Sequence, residues 1–370
     1  MTATTFPRSP IATPLLCALA VTVAWACPPA TEAQEDASTG RVPGDTWLRY
    51  ATPEEAGWSS ERIAGVKAFA DSVGSGVGML IHDGAVVTSW GDVTQIAGVS
   101  SLAKALNVMT VGIGVERGDV DLDATLGEVG IEDEPPLRPC ERDARVRHLL
   151  AMKSGVYHPA PYSPAGSLPE RCSAEPGEQF VYHNWDMAAL TAVFEKETGA
   201  TVQGVFWEEI ARPLGLEDTG PATLRYVVSP AESRLRHVTA HLSARDLARV
   251  GLLMLRDGGW AGRQLVPASW LERMRSPQHR FAQGHAVGWL VWLPWQNDRL
   301  REMGAFLVSG SGLNVAIMVP ERNVVFVHRA HPLNGGVHGR LVNEELLRLL
   351  DARTGEAAAD PVLVPFEPGG

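Results

Sequence analysis

Apolar positions follow two different periodicities along this chain, and each periodicity keeps to its own stretches. Ser59 and Ser60 can cap a helix that sets Ile63, Val66, Phe69 and Ala70 on one face. Val77–His82 and Ala85–Trp90 read as strands, joined by Asp83-Gly84, a strong two-residue hairpin signal. From about Ser101 to Met274 the period turns helical, with Pro- and Gly-rich loops between segments. The best helices there are Leu102–Arg117, Val146–Met152, Asn184–Thr198, Val202–Ala211 and Ala244–Arg256. Strand patterns return at Val287–Leu293, Leu313–Val319 and Val324–Arg329, the last two around a Pro320-Glu321-Arg322-Asn323 turn. An amphipathic helix near Leu341–Leu350 precedes a Pro/Gly tail, and no internal repeat is evident.

Strands at both ends with helices between them predict an α/β chain in two lobes. One antiparallel sheet, flanked by helices, draws on residues 46–98 and 285–354. Residues 99–284 make a second, all-helical lobe, and 355–370 trail as a tail. A cleft between the lobes is the default place for a site.

Composition narrows the function classes. At 45% hydrophobic and 20% charged over 370 residues, the chain can build a core without metals or a disulfide scaffold. A formal charge of −11 argues against a nucleic-acid surface. Near the amino end, Arg8 precedes an apolar run from Ile11 to Ala26. That run is short for a membrane span of about 20 residues. It ends in Ala24-Trp25-Ala26, a small-x-small cleavage pattern, so residues 1–26 read as a signal peptide and 27–45 as a flexible linker. Cys27 follows the cleavage site directly and is a possible lipid anchor, although Ala24 and Trp25 fit a lipoprotein site poorly. The expected location is exported, periplasmic or extracellular. Such a compartment allows disulfides, and Cys140 and Cys172 remain as the natural pair.

The sharpest chemical signal is Ser101-Leu102-Ala103-Lys104. On a helix, residues three apart share a face, so the amine can sit beside the hydroxyl and act as its base. Ser100 is the rival serine, but three residues on it meets Ala103. A capping serine with a solvated lysine is the structural alternative. The second signal is Tyr182-x-Asn184, at the start of a helix after a Pro176-Gly177 turn. Two polar heads can enter one cleft from there; alternatively Asn184 is an N-cap and Tyr182 a half-buried aromatic. His237 and His241 have ligand spacing for a helix but lack the adjacent Glu of a zinc protease and an acidic third ligand, so no metal is expected. Trp289, Trp292 and Trp295 read as strand and cleft-wall packing.

Together these segments resemble the serine β-lactamase and penicillin-binding-protein superfamily, in its class C-like branch of β-lactamase-related hydrolases. The likeness spans roughly residues 48–352, with support from Gly114–Asp123, Val146–Gly155 and His241–Gly259. It implies an antiparallel sheet with flanking helices, a helical domain, and acyl transfer without a cofactor. Ser101 would attack a carbonyl while Lys104 and Tyr182 shuttle its proton; members differ over which is the base. Asn184 would bond the substrate amide or orient Lys104. The third motif of the family falls on Val308-Ser309-Gly310 rather than on Lys153-Ser154-Gly155, and the backbone N–H of Ser311 with that of Ser101 would make the oxyanion hole. Val308 then replaces a basic residue, which argues against recognition of a β-lactam carboxylate. The expected activity is an exported serine hydrolase on small-molecule esters, amides or peptides, with specificity in loops 156–175 and 260–300. A β-lactamase or D-alanyl-D-alanine carboxypeptidase, and a non-catalytic binder of a cell-wall or small ligand, are the alternatives.

Overall fold

Side chains that alternate between two apolar layers organise a ten-stranded sheet at the centre of this structure. The structure is a computed structural model and describes residues 1–2, 40–163, 165–294, 297–330 and 339–369. Met1–Glu35 forms a unit of its own; the expected signal segment and Cys27 lie outside the described residues, apart from Met1 and Thr2. The second unit, Asp36–Gly370, carries the fold. In chain order its strands are β1 (Leu48–Tyr50), β2 (Ser75–His82), β3 (Ala85–Trp90), β4 (Ala97–Gly98), β5 (Leu224–Ser229), β6 (Ser233–Leu242), β7 (Gly259–Trp260) and β8 (Arg263–Gln264). They continue as β9 (His279–Arg280), β10 (Ala286–Val287), β11 (Trp292–Leu293), β12 (Phe306–Gly310), β13 (Asn314–Val319), β14 (Val324–Ala330) and β15 (Leu363–Pro365).

The large sheet runs β15-β1-β3-β2-β14-β13-β12-β11-β10-β9. Every pairing in it is antiparallel except β1 with β3. Asp83 and Gly84 close the β2–β3 hairpin with φ of +43° and +71°, the two positive angles such a tight turn needs. Register then divides the side chains. Met79, Ile81, Val325 and Val327 join a core shared with helix Ala244–Leu255 and the helix-rich lobe. Leu80 and Phe326, one residue along, join a second core with Ile63 and Val66 of helix Ser60–Val73 and Leu346 and Leu349 of helix Gly339–Asp351. A slip of one residue would exchange the layers, so the register is strongly specified.

The antiparallel sheet flanked by helices is therefore as expected, and several details differ. The middle lobe is not all-helical, because β5 and β6 pair there and β4 adds to them, in the order β4-β6-β5. β6 is interrupted by Arg and His, which blurs its two-residue alternation. Val287–Leu293 is not one strand but two short ones, β10 and β11, which pair with each other across a bend where Leu290 has φ +60°. Helix 202–211 passes from Val202–Val205 into a π turn over Phe206–Ala211. The tail is no tail: β15 pairs with β1, and the Phe366 N–H donates to the Trp47 carbonyl at 2.9 Å. The end of the expected linker is also packed, since buried Arg249 donates to the Gly44 carbonyl at 3.0 Å. Cys140 and Cys172 form a disulfide, with Cα atoms 6.1 Å apart. Among the described residues, no helix is long and apolar enough to cross a membrane.

Candidate active site

β4 leads through Val99 into a tight turn, Ser100–Leu102, which opens helix Ala103–Glu116. Ser100 carries the cost of that corner, with φ +51°. The next residue, Ser101, is thereby presented at the start of the helix, and Lys104 returns to it one turn later. The Lys104 Nζ donates to Ser101 Oγ at 3.1 Å. Lys104 is only 3% exposed, and no carboxylate among the described residues forms an ion pair with it. Burial disfavours its charge and brings its pKa down to about 8. A lysine so placed is a practical base for its neighbouring hydroxyl.

Tyr182 meets the same pair from the other side. Lys104 Nζ lies 5.0 Å from its ring centroid. Its hydroxyl pKa is raised by burial, the larger influence, and lowered by a hydrogen bond with Ser101. Ser101, Lys104 and Tyr182 thus converge. Among the described residues, Asn184 forms no hydrogen bond with any of the three. It occupies the N-cap position of helix Trp185–Thr198, but its side chain makes no cap bond. Its Nδ2 donates instead to the Pro161 carbonyl at 2.7 Å, and its backbone N–H donates to Ser163 Oγ at 3.0 Å. Asn184 therefore anchors a loop through one of its two amide N–H groups. His183 turns away to the buried Asp186, at 3.3 Å, which also accepts from Ser154 Oγ at 2.5 Å. That bond gives the Lys153-Ser154-Gly155 segment a structural place.

β12 forms the opposite wall. Ser309, Gly310 and Ser311 line one cavity of about 940 Å³ with Ser101 and Tyr182. Gly310 is required here: a Cβ would sit 1.9 Å from the Val99 carbonyl oxygen, so only a bare backbone can lie against the turn that holds Ser101. Val308, unlike its neighbours Leu307 and Ser309, does not line the cavity. It is fully buried in the core with Leu102 and Ala316, so its apolar character says nothing about the cleft. A cation lines the cavity from elsewhere, Arg340 at the head of helix Gly339–Asp351, outside the loops expected to set specificity. The tryptophans divide in the same manner: Trp292 lines the cavity, Trp289 packs on Trp270 at 4.8 Å, and Trp295 lies outside the described residues.

His237 is legible in the sequence only as half of a helical ligand pair. It lies in β6, where residues four apart are separated by about 13 Å, so it and His241 do not converge as helical neighbours would. His237 is instead beside Lys104. Burial first, and the lysine charge second, push its pKa down to about 3, so it stands neutral next to the amine. Tyr162 contacts the His237 ring edge-on at 6.3 Å. No local pattern marks this association, because β6 reaches helix Ala103–Glu116 only through tertiary packing.

Comparison with known proteins agrees with this fold. The chain resembles a structure from Bacillus anthracis provisionally named a 6-aminohexanoate-dimer hydrolase, at 20% identity and TM-score 0.64, covering 85% of this chain and 89% of that one. A family VIII carboxylesterase matches at 14% identity and TM-score 0.57, over 83% and 98% of the two chains. The octameric penicillin-binding protein homologue of Pyrococcus abyssi matches at 18% identity and TM-score 0.58, over 79% and 77%. An uncharacterized protein of Alkalihalophilus pseudofirmus is 22% identical over 67% of this chain and 81% of its own. The family model described as Beta-lactamase matches residues 66–330, which takes in the Ser-x-x-Lys turn, the Tyr-x-Asn segment and β12 together, and the chain belongs to that family.

Proposed function

We propose that the protein is an exported serine hydrolase that cleaves small, largely apolar esters or amides through an acyl-enzyme on Ser101. The observation that carries this is the 3.1 Å contact between Ser101 Oγ and a buried lysine with a pKa of about 8. In the neutral form, Lys104 takes the Ser101 proton, directly or through Tyr182, as oxygen attacks the carbonyl. The backbone N–H groups of Ser101 and Ser311 hold the oxyanion. Collapse expels the alcohol or amine, which takes the proton. Water then attacks the acyl-enzyme by the same route in reverse, releasing the acid and freeing Ser101. Apolar walls from Trp292, Leu307, Leu313 and Ile317 favour an apolar substituent next to the scissile bond. Hydrolase and carboxylesterase names among the structural neighbours are in keeping with this chemistry. Export rests on the sequence of residues 1–26, and the Cys140–Cys172 bridge suits an oxidising compartment. Mass spectrometry of the exported chain should find cleavage before Cys27, with or without a diacylglyceryl mass.

Arg340 favours a second reading, a β-lactamase or D-alanyl-D-alanine carboxypeptidase, because a cation in the cavity can hold a substrate carboxylate. One experiment separates these readings from a non-catalytic binder: fluorophosphonate labelling of wild type and Ser101→Ala, followed by p-nitrophenyl esters, nitrocefin and D-Ala-D-Ala peptides. Stoichiometric, Ser101-dependent labelling with ester turnover is expected. Nitrocefin turnover above the best ester rate would favour the second reading, and absence of labelling would favour the binder.

A further inference from the structure

Arg329, on β14, is buried, and among the described residues it makes no ion pair. Such a cation is costly unless hydrogen bonds compensate it. Its guanidinium donates to three separate segments: Nε to Asn314 Oδ1 at 3.1 Å, and Nη1 to the carbonyls of Gln95 at 3.0 Å and Leu242 at 2.9 Å. Gln95 precedes β4, and Leu242 pairs with Ala97 within it, so these bonds hold the lead-in to Ser101. Asn314 extends the chain of bonds in the other direction. With Oδ1 committed to Arg329, its Nδ2 donates to the Ser311 carbonyl at 2.9 Å. The turn thus held passes through Gly312, at φ +79°, and carries its strain at Leu313, a non-glycine residue at φ +55°.

We propose that Arg329 is a positioning residue which, through Asn314, locks the Ser311 turn to the strand that delivers Ser101. This inference rests on the acyl-transfer reading above. It assigns to a buried cation outside the cleft the spacing between nucleophile and oxyanion donor. Neither Arg329 nor Asn314 lines the cavity. An ångström of misplacement in such a site costs on the order of 100-fold in rate, whereas substrate affinity depends on other walls.

The test uses the full chain carrying Asn314→Asp, which still accepts from Arg329 but has no N–H for Ser311. Thermal midpoint, kcat, KM and the ratio of rates on an ester and its thionoester are measured. The thionoester ratio reports oxyanion geometry, which a loss of folded protein would leave unchanged. Expected are a midpoint at or above wild type, kcat lower by roughly 10- to 100-fold, KM within about 3-fold, and a shifted ratio. Arg329→Lys should retain more kcat than Arg329→Met at equal folded fraction. Wild-type kcat and ratio in Asn314→Asp, beside Ser101-dependent turnover in the parent, would overturn this inference alone. Turnover that does not depend on Ser101 would overturn the acyl-transfer reading, and this inference with it.

Discussion

In the proposed mechanism Lys104 is the base, and its environment sets a measurable pH dependence. Burial lowers its pKa from the usual 10.5 to about 8, so the neutral amine becomes available as pH rises through that value. The kcat/KM of the free enzyme should climb from about pH 6 to an inflection near 8 and then level; a flat profile would remove Lys104 as base. The same shift has a stability sign. Between about 8 and 10.5 the unfolded chain holds a proton that the folded one lacks, so this group's contribution is present above 10.5 and lost as pH falls through 8. Lys104→Ala and Tyr182→Phe should each remove most activity. If the two share one proton-transfer step, the double variant costs much less than the sum, whereas additive losses would mean separate steps.

At the scale of elements, the site depends on how closely β12 lies against the turn before helix Ala103–Glu116. Gly310→Ala would drive a methyl into the Val99 carbonyl, 1.9 Å from the ideal Cβ position. Either strand or turn must retreat. The expected result is a loss of activity of about 100-fold or more, with destabilisation of roughly 1–3 kcal/mol, read by fluorophosphonate labelling rate and denaturant midpoint. Wild-type labelling would mean that the close approach is not needed. Val308, two residues earlier on the same strand, makes the contrast. Val308→Lys would not place an amine in the cleft; it would bury one in the core, and destabilisation rather than altered substrate preference is expected.

Over the whole molecule, the last helix ties the outer core to the cleft. Its Arg340 lines the cavity, while Glu345 is fully buried against the sheet. Ser75 Oγ donates to Glu345 at 3.3 Å, and His328 Nε2 lies 3.7 Å away. Burial raises the Glu345 pKa to about 7 and lowers that of His328 to about 4, so the neutral forms are preferred on both sides. The two contributions run in opposite senses. Stability from protonated Glu345 is present below about 4.5 and lost as pH rises through 7; stability from neutral His328 is present above 6.5 and lost as pH falls through 4. Glu345→Gln keeps a neutral side chain at every pH. Its stability relative to wild type should therefore improve from about pH 5 to about pH 8 in denaturant titrations, and a pH-independent difference would contradict the assignment.

Features legible along the chain are local ones. The Asp83-Gly84 hairpin, the helix opened by Ser101, the pairing of Ser101 with Lys104, and the capped helix from Ser60 all depend on neighbours within a few residues, where backbone geometry alone sets the relation. Tyr182 stands out locally at a helix start, but its place beside Ser101, and that of β12, are implied only by likeness to a family whose motifs recur in order. Tertiary structure decided the rest. A strand's two faces look identical in sequence until partners are known, which is why Val308 reads as a cleft residue in the sequence and lies in the core. β15 is a strand only because the edge of β1 is there to accept it, and Asn184 gives one amide N–H to a loop 23 residues earlier. Arg329 reaches Gln95, 234 residues back, and His237 reaches Lys104 through packing of β6. Such contacts depend on how distant segments pack, and that packing is set by burial of the whole apolar surface at once rather than by any stretch of sequence.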